Sequence, residues 1–325
     1  MRVLVAGALL VAALIVTLAL PVTGWRTGDQ GLARFDSVVE QAAPPFPRRI
    51  WIDTDAACGH SARTDPDDCF ALALLLRAPE VEIAGISTVA GNAPLGVVQA
   101  TTRAIAGDRP TDLRAALEQG PLTILALGPL TNIAAVLETR PDLRKHVARL
   151  IGVMGRRPGH LFHPAEGAGG GMLFGHGPVF RDFNFALDPE AAAKVLEMRL
   201  PISLVPYDAA RGIEITAADL DRLEATIPWI VRRSRGWLEY WRSDIGRQGF
   251  YPFDLLAAAY AVDPSTLRCK PARAWVGEDP TLFGPWSRAA LLVEPGTDAA
   301  VLYCGRTRGD VRLDALRRLT QGAKQ

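Results

Sequence analysis

Five aspartates fall within the seventeen-residue stretch IDTDAACGHSARTDPDD, which runs from Ile52 to Asp68. The stretch follows an apolar run that is typical of a β-strand, so its first two acids are expected at the end of a strand. Carboxylates crowded at one sheet edge raise one another's pKa unless a cation neutralises them. Two interpretations are open: these side chains either are solvated turn residues or bind a cation. The five residues are Asp53, Asp55, Asp65, Asp67 and Asp68.

The helix predicted after the turn accounts for only part of this charge. With Asp65 as N-cap and Pro66 as first residue, Asp67 and Asp68 would each gain roughly 0.3–1 kcal/mol from the helix dipole. That gain does not explain the pair Asp53 and Asp55. A hard cation with oxygen ligands does: Ca²⁺ takes about 6–8 oxygens, whereas Mg²⁺ demands tighter octahedral geometry. Zinc is disfavoured, because the five histidines show no paired ligand spacing beside these acids.

The elements that position these acids alternate between apolar strands and helical patterns. The strands RRIWIDTD, VEIAGISTVAG, LTILALG, RLIGVMG and PISLVPYD are interleaved with helices such as DDCFALALLLRAP, LGVVQATTRAIAG and LTNIAAVLE. This order predicts an α/β fold, an open, mostly parallel (mixed) sheet with helices on both faces. KPARAWVG, RAALLVEPG and AAVLYCG predict a small antiparallel C-terminal portion. Ligands of such sheets bind beyond the carboxyl ends of the strands.

The N-terminal residues predict a route out of the cytoplasm. One positive charge at Arg2 precedes the unbroken apolar run VLVAGALLVAALIVTLALPV. Residues 1–24 are therefore either a secretory signal peptide, cleaved after Gly24, or a membrane anchor, since the run approaches the roughly 20 residues that span a bilayer. Residues 25–48 form a proline-containing linker and residues 49–325 one domain. We expect an extracytoplasmic protein, periplasmic or secreted, that contacts membrane only through this segment.

The charge composition argues against nucleic acid as a partner. Lys plus Arg (36) balances Asp plus Glu (35), so no basic surface indicates nucleic-acid binding. The four cysteines match no zinc signature. Cys269 and Cys304 lie in two predicted strands, so they either pair in an oxidising compartment or belong with Cys58 and Cys69 to a set of buried thiols.

A long glycine-rich segment lies between Gly155 and Phe183. It carries no G-x-G-x-x-G that opens a helix directly after a strand, which argues against a dinucleotide site. Loops of this length inside a domain are usually functional or disordered. We interpret the segment as a lid over a site in preference to inert chain.

These motifs, in this order, resemble the calcium-dependent nucleoside hydrolases of the inosine–uridine-preferring type. The resemblance runs from Arg49 to the end of the chain, through the paired acids and STVAGN, ALGPLTNIA, VMG, DFNFALDPEAA, PISLVPYD and FDLLAAAYAVDP. It implies Ca²⁺-dependent hydrolysis of the N-glycosidic bond of a ribonucleoside or similar small ribosylated substrate. The products would be ribose and the free base.

The resemblance also implies roles for individual residues. Asp55 would be the general base that activates water, Asp67 and Asn184 would hold ribose hydroxyls, and Asn92 would lie near the attacked carbon. The implied Ca²⁺ ligands are Asp55, Asp68, Asp254 and the backbone carbonyl of Thr131. Asp53 would support them from behind. The implied substrate-binding set is Asp67, Asn92, Met154, His176, Asp182 and Asn184.

The chain departs from the family where the base should bind. Phe253 stands where many members carry a histidine, the proposed acid for the leaving base. The turn between Asp55 and Asp67 is enlarged, and the segment between Asn92 and Thr131 is short and lacks the family's flap. The metal and ribose half of the site is thus retained and the base half rebuilt. The candidates to replace the missing acid are His60 and His176.

Several aromatic residues precede Asp254 and either stack on a base or pack in the core. Their helical spacing favours core packing. They are Trp237, Tyr240, Trp241 and Tyr251.

Two other functions remain open at this point. A membrane-tethered protein that binds a ribosyl ligand without turnover would fit Phe253 and the lost flap, whereas the retained Asp55 and metal carboxylates favour an enzyme. A metal-dependent phosphohydrolase would need Lys or Arg aimed at phosphate, and only Arg63 lies within the acidic stretch. The leaving base and any homo-oligomer are likewise open.

Overall fold

The computed structural model describes residue 11 and residues 35–41, 46–158, 182–280, 287–297 and 300–321. Apart from residue 11, the predicted signal or anchor lies outside these residues, as do residues 159–181 of the glycine-rich segment with His176. None of the helices in the described ranges combines the length and apolarity that crossing a bilayer requires.

Eight of the described strands form a single sheet in the order β2-β1-β3-β4-β5-β10-β8-β9. Strands β1 to β5 are parallel, β10 is parallel to β5, and β8 is antiparallel to both β10 and β9. A separate two-stranded antiparallel sheet pairs β6 with β7. The α/β prediction of a mostly parallel, mixed sheet with an antiparallel C-terminal portion is confirmed. The strands are β1 Arg49–Thr54, β2 Glu82–Thr88, β3 Leu122–Ala126, β4 Val147–Gly152, β5 Ile202–Leu204, β6 Ile215–Thr216, β7 Gly249–Phe250, β8 Leu267–Pro280, β9 Ser287–Pro295 and β10 Val301–Thr307.

Helices cover both faces of the sheet and bury two apolar clusters against it. One cluster contains α1 and α8 to α11, and the other contains α3, α4 and α6. Apolar strands such as β3, whose residues are all buried, are covered on both sides, as expected of a parallel sheet. The helices are α1 Asp67–Leu75, α2 Leu95–Ala106, α3 Leu113–Glu118, α4 Thr131–Thr139, α5 Phe183–Leu187, α6 Pro189–Glu197, α7 Tyr207–Ala210, α8 Ala217–Leu223, α9 Pro228–Tyr240, α10 Phe253–Val262 and α11 Val311–Thr320.

Part of the predicted linker packs on the domain. The ring of Phe35 is buried and stacks on Tyr303 with 4.7 Å between ring centroids. Lys270 Nζ donates to the Phe35 carbonyl oxygen at 2.5 Å, and the amide of Gln41 donates to the carbonyl of Cys269 at 3.1 Å. Residues 35–41 are therefore held against β8 and β10.

Helix α1 begins one residue later than the sequence pattern predicts. Pro66 occupies the cap position, and Asp67 is the first helical residue. Asp65 still contributes locally, because its Oδ1 accepts a hydrogen bond from the amide of Asp67 at 3.2 Å. The proline ring fixes φ near the value that the helix start needs, which places both following acids in the first turn.

Two disulfides connect the four cysteines. Cys269 and Cys304 join the neighbouring strands β8 and β10, one of the two alternatives open from the sequence. Cys58 and Cys69 form a second bond that the spacing did not indicate. This second bond closes the enlarged turn onto α1, directly after Asp68.

Candidate active site

A cavity of about 370 Å³ opens beyond the carboxyl ends of the parallel strands. Leu127 follows β3, Val153 and Met154 follow β4, and Val205 follows β5, and all four line it. A larger groove of about 800 Å³ lies outside β2, between α2 and α4. We place the site in the smaller cavity, because the larger groove includes none of the paired acids of the β1–α1 turn.

Four buried carboxylates meet at this cavity, which Asp67 and Asp254 line directly, and we call them the acidic cluster: Asp55, Asp67, Asp68 and Asp254. Carboxylate oxygens of the last three lie within 4.8 Å of one another. Asn92 ties Asp55 to the group, since its Nδ2 donates to Asp55 Oδ1 at 3.3 Å and to Asp68 Oδ2 at 3.1 Å. Its backbone amide donates to Asp55 Oδ2 at 2.9 Å.

Three local features of the sequence bring these acids together. Strand β1 ends at Thr54, so Asp55 is delivered at the edge of the sheet. Helices α1 and α10 pack together, and the amide of Asp254 in the first turn of α10 donates to Asp67 Oδ2 at 3.1 Å. Gly91 makes room for Asp55, because a Cβ at this position would overlap its carboxylate.

The electrostatics of the cluster call for a cation. Burial, and then repulsion from neighbouring carboxylates, raises the pKa of Asp55 and of Asp254 well above the ordinary value for aspartate. Burial is also the main cause that raises the pKa of Asp67, followed by the charge of Asp68. Among the described residues that line the cavity, Arg63 is the one basic side chain, and it lies at the rim with 69% of its side chain exposed. The donors present are oxygens, so the cluster fits a hard divalent cation.

Asp53 is held by a network of hydrogen bonds. Ser87 Oγ donates to Asp53 Oδ1 at 2.5 Å, and Asn132 Nδ2 donates to the same oxygen at 2.8 Å. Trp51 Nε1 in turn donates to Ser87 Oγ at 2.8 Å. This network holds Asp53 Oδ1, and Asp53 is not among the described residues that line the cavity.

Four of the predicted substrate-binding residues in the described chain line the cavity beside Asp67: Asn92, Met154, Asp182 and Asn184. Asn184 is held by its amide, which donates to the carbonyls of Leu127 at 2.6 Å and Val153 at 3.1 Å. Asp182 caps α5 and accepts the amide of Gly155 at 2.7 Å. The side chains therefore converge from the ends of three strands.

The structure does not bring Thr131 to the cluster. Thr131 is exposed at the start of α4, outside the cavity lining, and its hydroxyl donates to Asp188 Oδ2 at 2.6 Å. The carbonyl that faces the site is that of Leu127, four residues earlier, which accepts from Asn184. The next residue, Gly128, lies against Asp55, since a Cβ there would be 3.3 Å from its Cγ. The feature that could have indicated Leu127 is the end of strand β3 at Ala126, because the residue after a strand end lies at the edge of the sheet.

Aromatic side chains make up a third of the residues that line the cavity. Trp237 and Trp241 are buried in the core, as their spacing predicts, yet both also line the cavity. Sequence reasoning gave no such place to Phe183 or Tyr207, although Phe183 directly precedes Asn184. The aromatic lining is Phe183, Tyr207, Trp237, Tyr240, Trp241 and Phe253.

Known proteins match the chain over much of its length. The sequence profile described as "Inosine-uridine preferring nucleoside hydrolase" matches residues 99–318. The chain belongs to this family. Among curated relatives of the family, the non-specific ribonucleoside hydrolase RihC of Escherichia coli (strain SMS-3-5 / SECEC) is 28% identical over 262 residues, which cover 64% of this chain and 80% of that protein.

Shorter and structural matches agree. The pyrimidine-specific ribonucleoside hydrolase RihA of Enterobacter sp. (strain 638) is 33% identical over 105 residues, so the matched part of this chain spans only 29% of that relative's length. The plant nucleoside hydrolase PpNRh1 superposes with a TM-score of 0.64 at 20% identity, covering 85% of this chain and 98% of that one. A purine-preferring ribonucleoside hydrolase from Gardnerella vaginalis gives a TM-score of 0.62 at 17% identity, with 84% and 98% covered. At these identities the two structures show the fold.

Proposed function

We propose that the protein hydrolyses the N-glycosidic bond of a ribonucleoside or a similar small ribosylated substrate, releasing ribose and the free base. The observation that carries this proposal is the buried acidic cluster together with aromatic side chains at one cavity. A cavity of about 370 Å³ is within the usual range for a small ligand. Family membership, and the names of RihA and RihC, support the same reaction class.

The acidic cluster would hold Ca²⁺, which is the cation we propose. Asp55, Asp68 and Asp254 supply carboxylate oxygens, and we replace the Thr131 carbonyl of the expected ligand set by that of Leu127. When bound, such a cation lowers the pKa of a coordinated water and orients it with the substrate. The buried carboxylates, whose pKa values are raised by burial and by one another's charge, support this assignment.

The protein residues supply the remaining steps. Asp55 is placed to accept a proton from the attacking water, and the two hydrogen bonds from Asn92 fix its orientation. Cleavage builds oxocarbenium character on the sugar, which the nearby carboxylates stabilise. Asp67 and Asn184, which face the cavity, would bind ribose hydroxyls. The base would then depart among the aromatic side chains.

Direct metal binding and ribose release test this function together. Wild type is expected to bind about one Ca²⁺ by calorimetry and to melt at higher temperature with Ca²⁺ than with chelator. It should also release ribose from at least one riboside among uridine, inosine and nicotinamide riboside. Asp68→Ala should lose the Ca²⁺ binding and its thermal effect. Asp55→Asn, assayed at saturating Ca²⁺, should lose about 10²–10⁴-fold in turnover.

Asp108→Asn is the matched control, because this exposed aspartate pairs with Arg103 at 2.9 Å, outside the lining of the candidate site. It should retain both properties. Stoichiometric Ca²⁺ in Asp68→Ala would contradict the metal site. Tight riboside binding without ribose release from any substrate would instead indicate a binding protein.

We also propose that the protein acts outside the cytoplasm. The two disulfides support this location, because such bonds persist in oxidising compartments. A reporter enzyme that needs an oxidising compartment, fused after Gly24, should be active with residues 1–24 present and inactive when they are deleted. Activity of a cytoplasm-dependent reporter alone would contradict the proposal.

A further inference from the structure

One positive charge, the exposed side chain of Arg63, stands among the described residues that line the cavity. The guanidinium carbon of Arg63 lies 4.9 Å from the ring centroid of Tyr240, a member of the aromatic lining. Arg63 also pairs with Asp244 at 3.3 Å in a solvent-exposed ion pair. Exposed pairs of this kind contribute little to stability. The guanidinium is therefore free to exchange this partner for a ligand.

The backbone that carries Arg63 is held in place. The Cys58–Cys69 disulfide closes the turn at its base. Within the turn, the amide of Arg63 donates to Ser61 Oγ at 3.2 Å, and Ser61 Oγ lies 2.9 Å from Thr64 Oγ1. The turn also packs closely on α9, since a Cβ at Gly236 would come within 3.0 Å of the Cα of Ala62. Arg63 thus projects from a braced loop.

The cavity lining combines two kinds of side chain, and this combination suits a ribosylated ligand. Carboxylates and amides suit sugar hydroxyls, whereas Trp237, Tyr240 and Phe253 suit a planar ring. Trp237 is more than nine-tenths buried, and its Nε1 has no hydrogen-bond partner in the described part of the chain. A planar base bearing acceptor atoms would complement these side chains, with Arg63 beside Tyr240.

Resting on the proposed function, we propose that Arg63 is the residue that stabilises the departing base, and that the substrates are ribosides whose base leaves as an anion. Water attacks C1′ and gives its proton to Asp55. The C1′–N bond breaks, and its electron pair leaves on the base nitrogen. The guanidinium faces that new negative charge and donates N–H bonds to the carbonyl oxygens of the ring. The released anion then takes a proton from solvent.

The sign of the effect depends on the charge of the leaving base. Uracil leaves uridine as an anion, so Arg63 helps. Nicotinamide is cationic in its riboside and leaves as a neutral molecule, so Arg63 gives no help and repels the bound substrate. A purely structural role for Arg63 would affect both substrates alike.

The experiment compares Arg63→Gln with wild type on uridine and on nicotinamide riboside, at saturating Ca²⁺. We expect kcat/KM for uridine to fall by at least about tenfold, while that for nicotinamide riboside stays constant or rises. Arg63→Lys should recover part of the uridine rate, because it keeps the charge. Arg233→Gln is the matched control, since Arg233 stacks on Trp229 at 3.8 Å outside the cavity lining. An equal fall for both substrates overturns the assignment.

A binding measurement separates this proposal from the reaction itself. Wild type should bind free uracil more tightly than Arg63→Gln does, while the two should bind nicotinamide equally. If wild type releases ribose from none of uridine, inosine and nicotinamide riboside, the proposed function fails, and the uracil measurement alone decides the role of Arg63. Equal uracil affinity in the two proteins overturns the proposal in either case.

Discussion

Asp53 allows a quantitative test of the buried charge beneath the site. Its carboxyl is fully buried, and its Oδ2 has no hydrogen-bond partner in the described ranges. Asp53→Asn preserves Oδ1, so Ser87 and Asn132 can still donate to it. The substitution therefore removes a titrating group and keeps its hydrogen bonds. The unpartnered amide of Asn adds a constant cost, so the informative quantity is the pH dependence of the stability difference.

The sign and the size of that dependence follow from the pKa of Asp53. Burial, opposed by the hydrogen bonds from Ser87 and Asn132 and reinforced by the charge of Asp68, raises this pKa from 3.8 to about 6. A raised folded-state pKa gives stability that is complete below the unfolded pKa and is lost as pH rises through the folded one. At 1.36 kcal/mol per pKa unit, this shift corresponds to about 3 kcal/mol in the free energy of unfolding. The wild type loses this amount as the pH rises, whereas Asp53→Asn does not. Most of the change lies between about pH 4 and pH 6.5.

Urea unfolding of both proteins from pH 4 to pH 8, in the presence of chelator, measures this difference. We expect the free energy of unfolding of Asp53→Asn, minus that of wild type, to increase by about 3 kcal/mol across the range. With Ca²⁺ the increase should be smaller, because a cation at Asp68 offsets one of the causes that raise the pKa. Asp112→Asn is the control, since the amide of Ala115 lowers the pKa of that exposed carboxyl below its ordinary value of 3.8, so its stability difference should stay nearly constant above pH 4. A difference for Asp53→Asn that stays constant with pH would refute the reasoning.

Three further substitutions test the packing of the site. Gly91→Ala places a Cβ on a carboxylate oxygen of Asp55 and should lower turnover by at least about 10²-fold. Gly96→Ala, whose Cβ would lie in open space on α2, should raise stability by about 0.5–1 kcal/mol and leave ribose release unchanged. Cys58→Ser should lower both the melting temperature and the Ca²⁺ affinity, whereas Cys269→Ser should lower the melting temperature alone; equal Ca²⁺ affinities would contradict a bracing role for the first disulfide. Phe253→His should speed release of purine bases, which benefit from protonation, but should not speed release of nitrophenol from a nitrophenyl riboside. Equal acceleration of both substrates would contradict the idea that this position lacks the acid for the leaving base.

The sequence predicted the fold and the carboxylates because both depend on local patterns. Apolar runs predict the strands, and the acids that follow β1 and open α1 and α10 must meet at one edge of a parallel sheet. The carbonyl that we propose as a ligand could not be located in the same way. Thr131 has a polar side chain that draws attention, whereas the backbone oxygen of Leu127 leaves no mark on residue type. Its position depends on where β3 ends.

Local sequence patterns could not predict the rim of the cavity, for a different reason. Arg63 reaches Tyr240 only because the enlarged turn folds against α9, a contact between residues far apart in the chain. The Cys58–Cys69 bond likewise needs the three-dimensional approach of a loop and a helix. Trp237 combines two environments, since its ring is buried in the core and also borders the cavity, so the choice between packing and binding was not a real alternative.

Strand β10 has a consequence for the order in which the chain folds. It is the last strand in the described sequence, yet it lies between β5 and β8 inside the sheet. Until residues 301–307 are synthesised, β5 has an open edge and the hairpin of β8 with β9 lacks the strand that joins it to β5. Such late, long-range pairing makes folding slow and leaves the unfinished chain open during synthesis. The bond between Cys269 and Cys304 spans β8 and β10, so its formation marks the moment when the sheet becomes continuous.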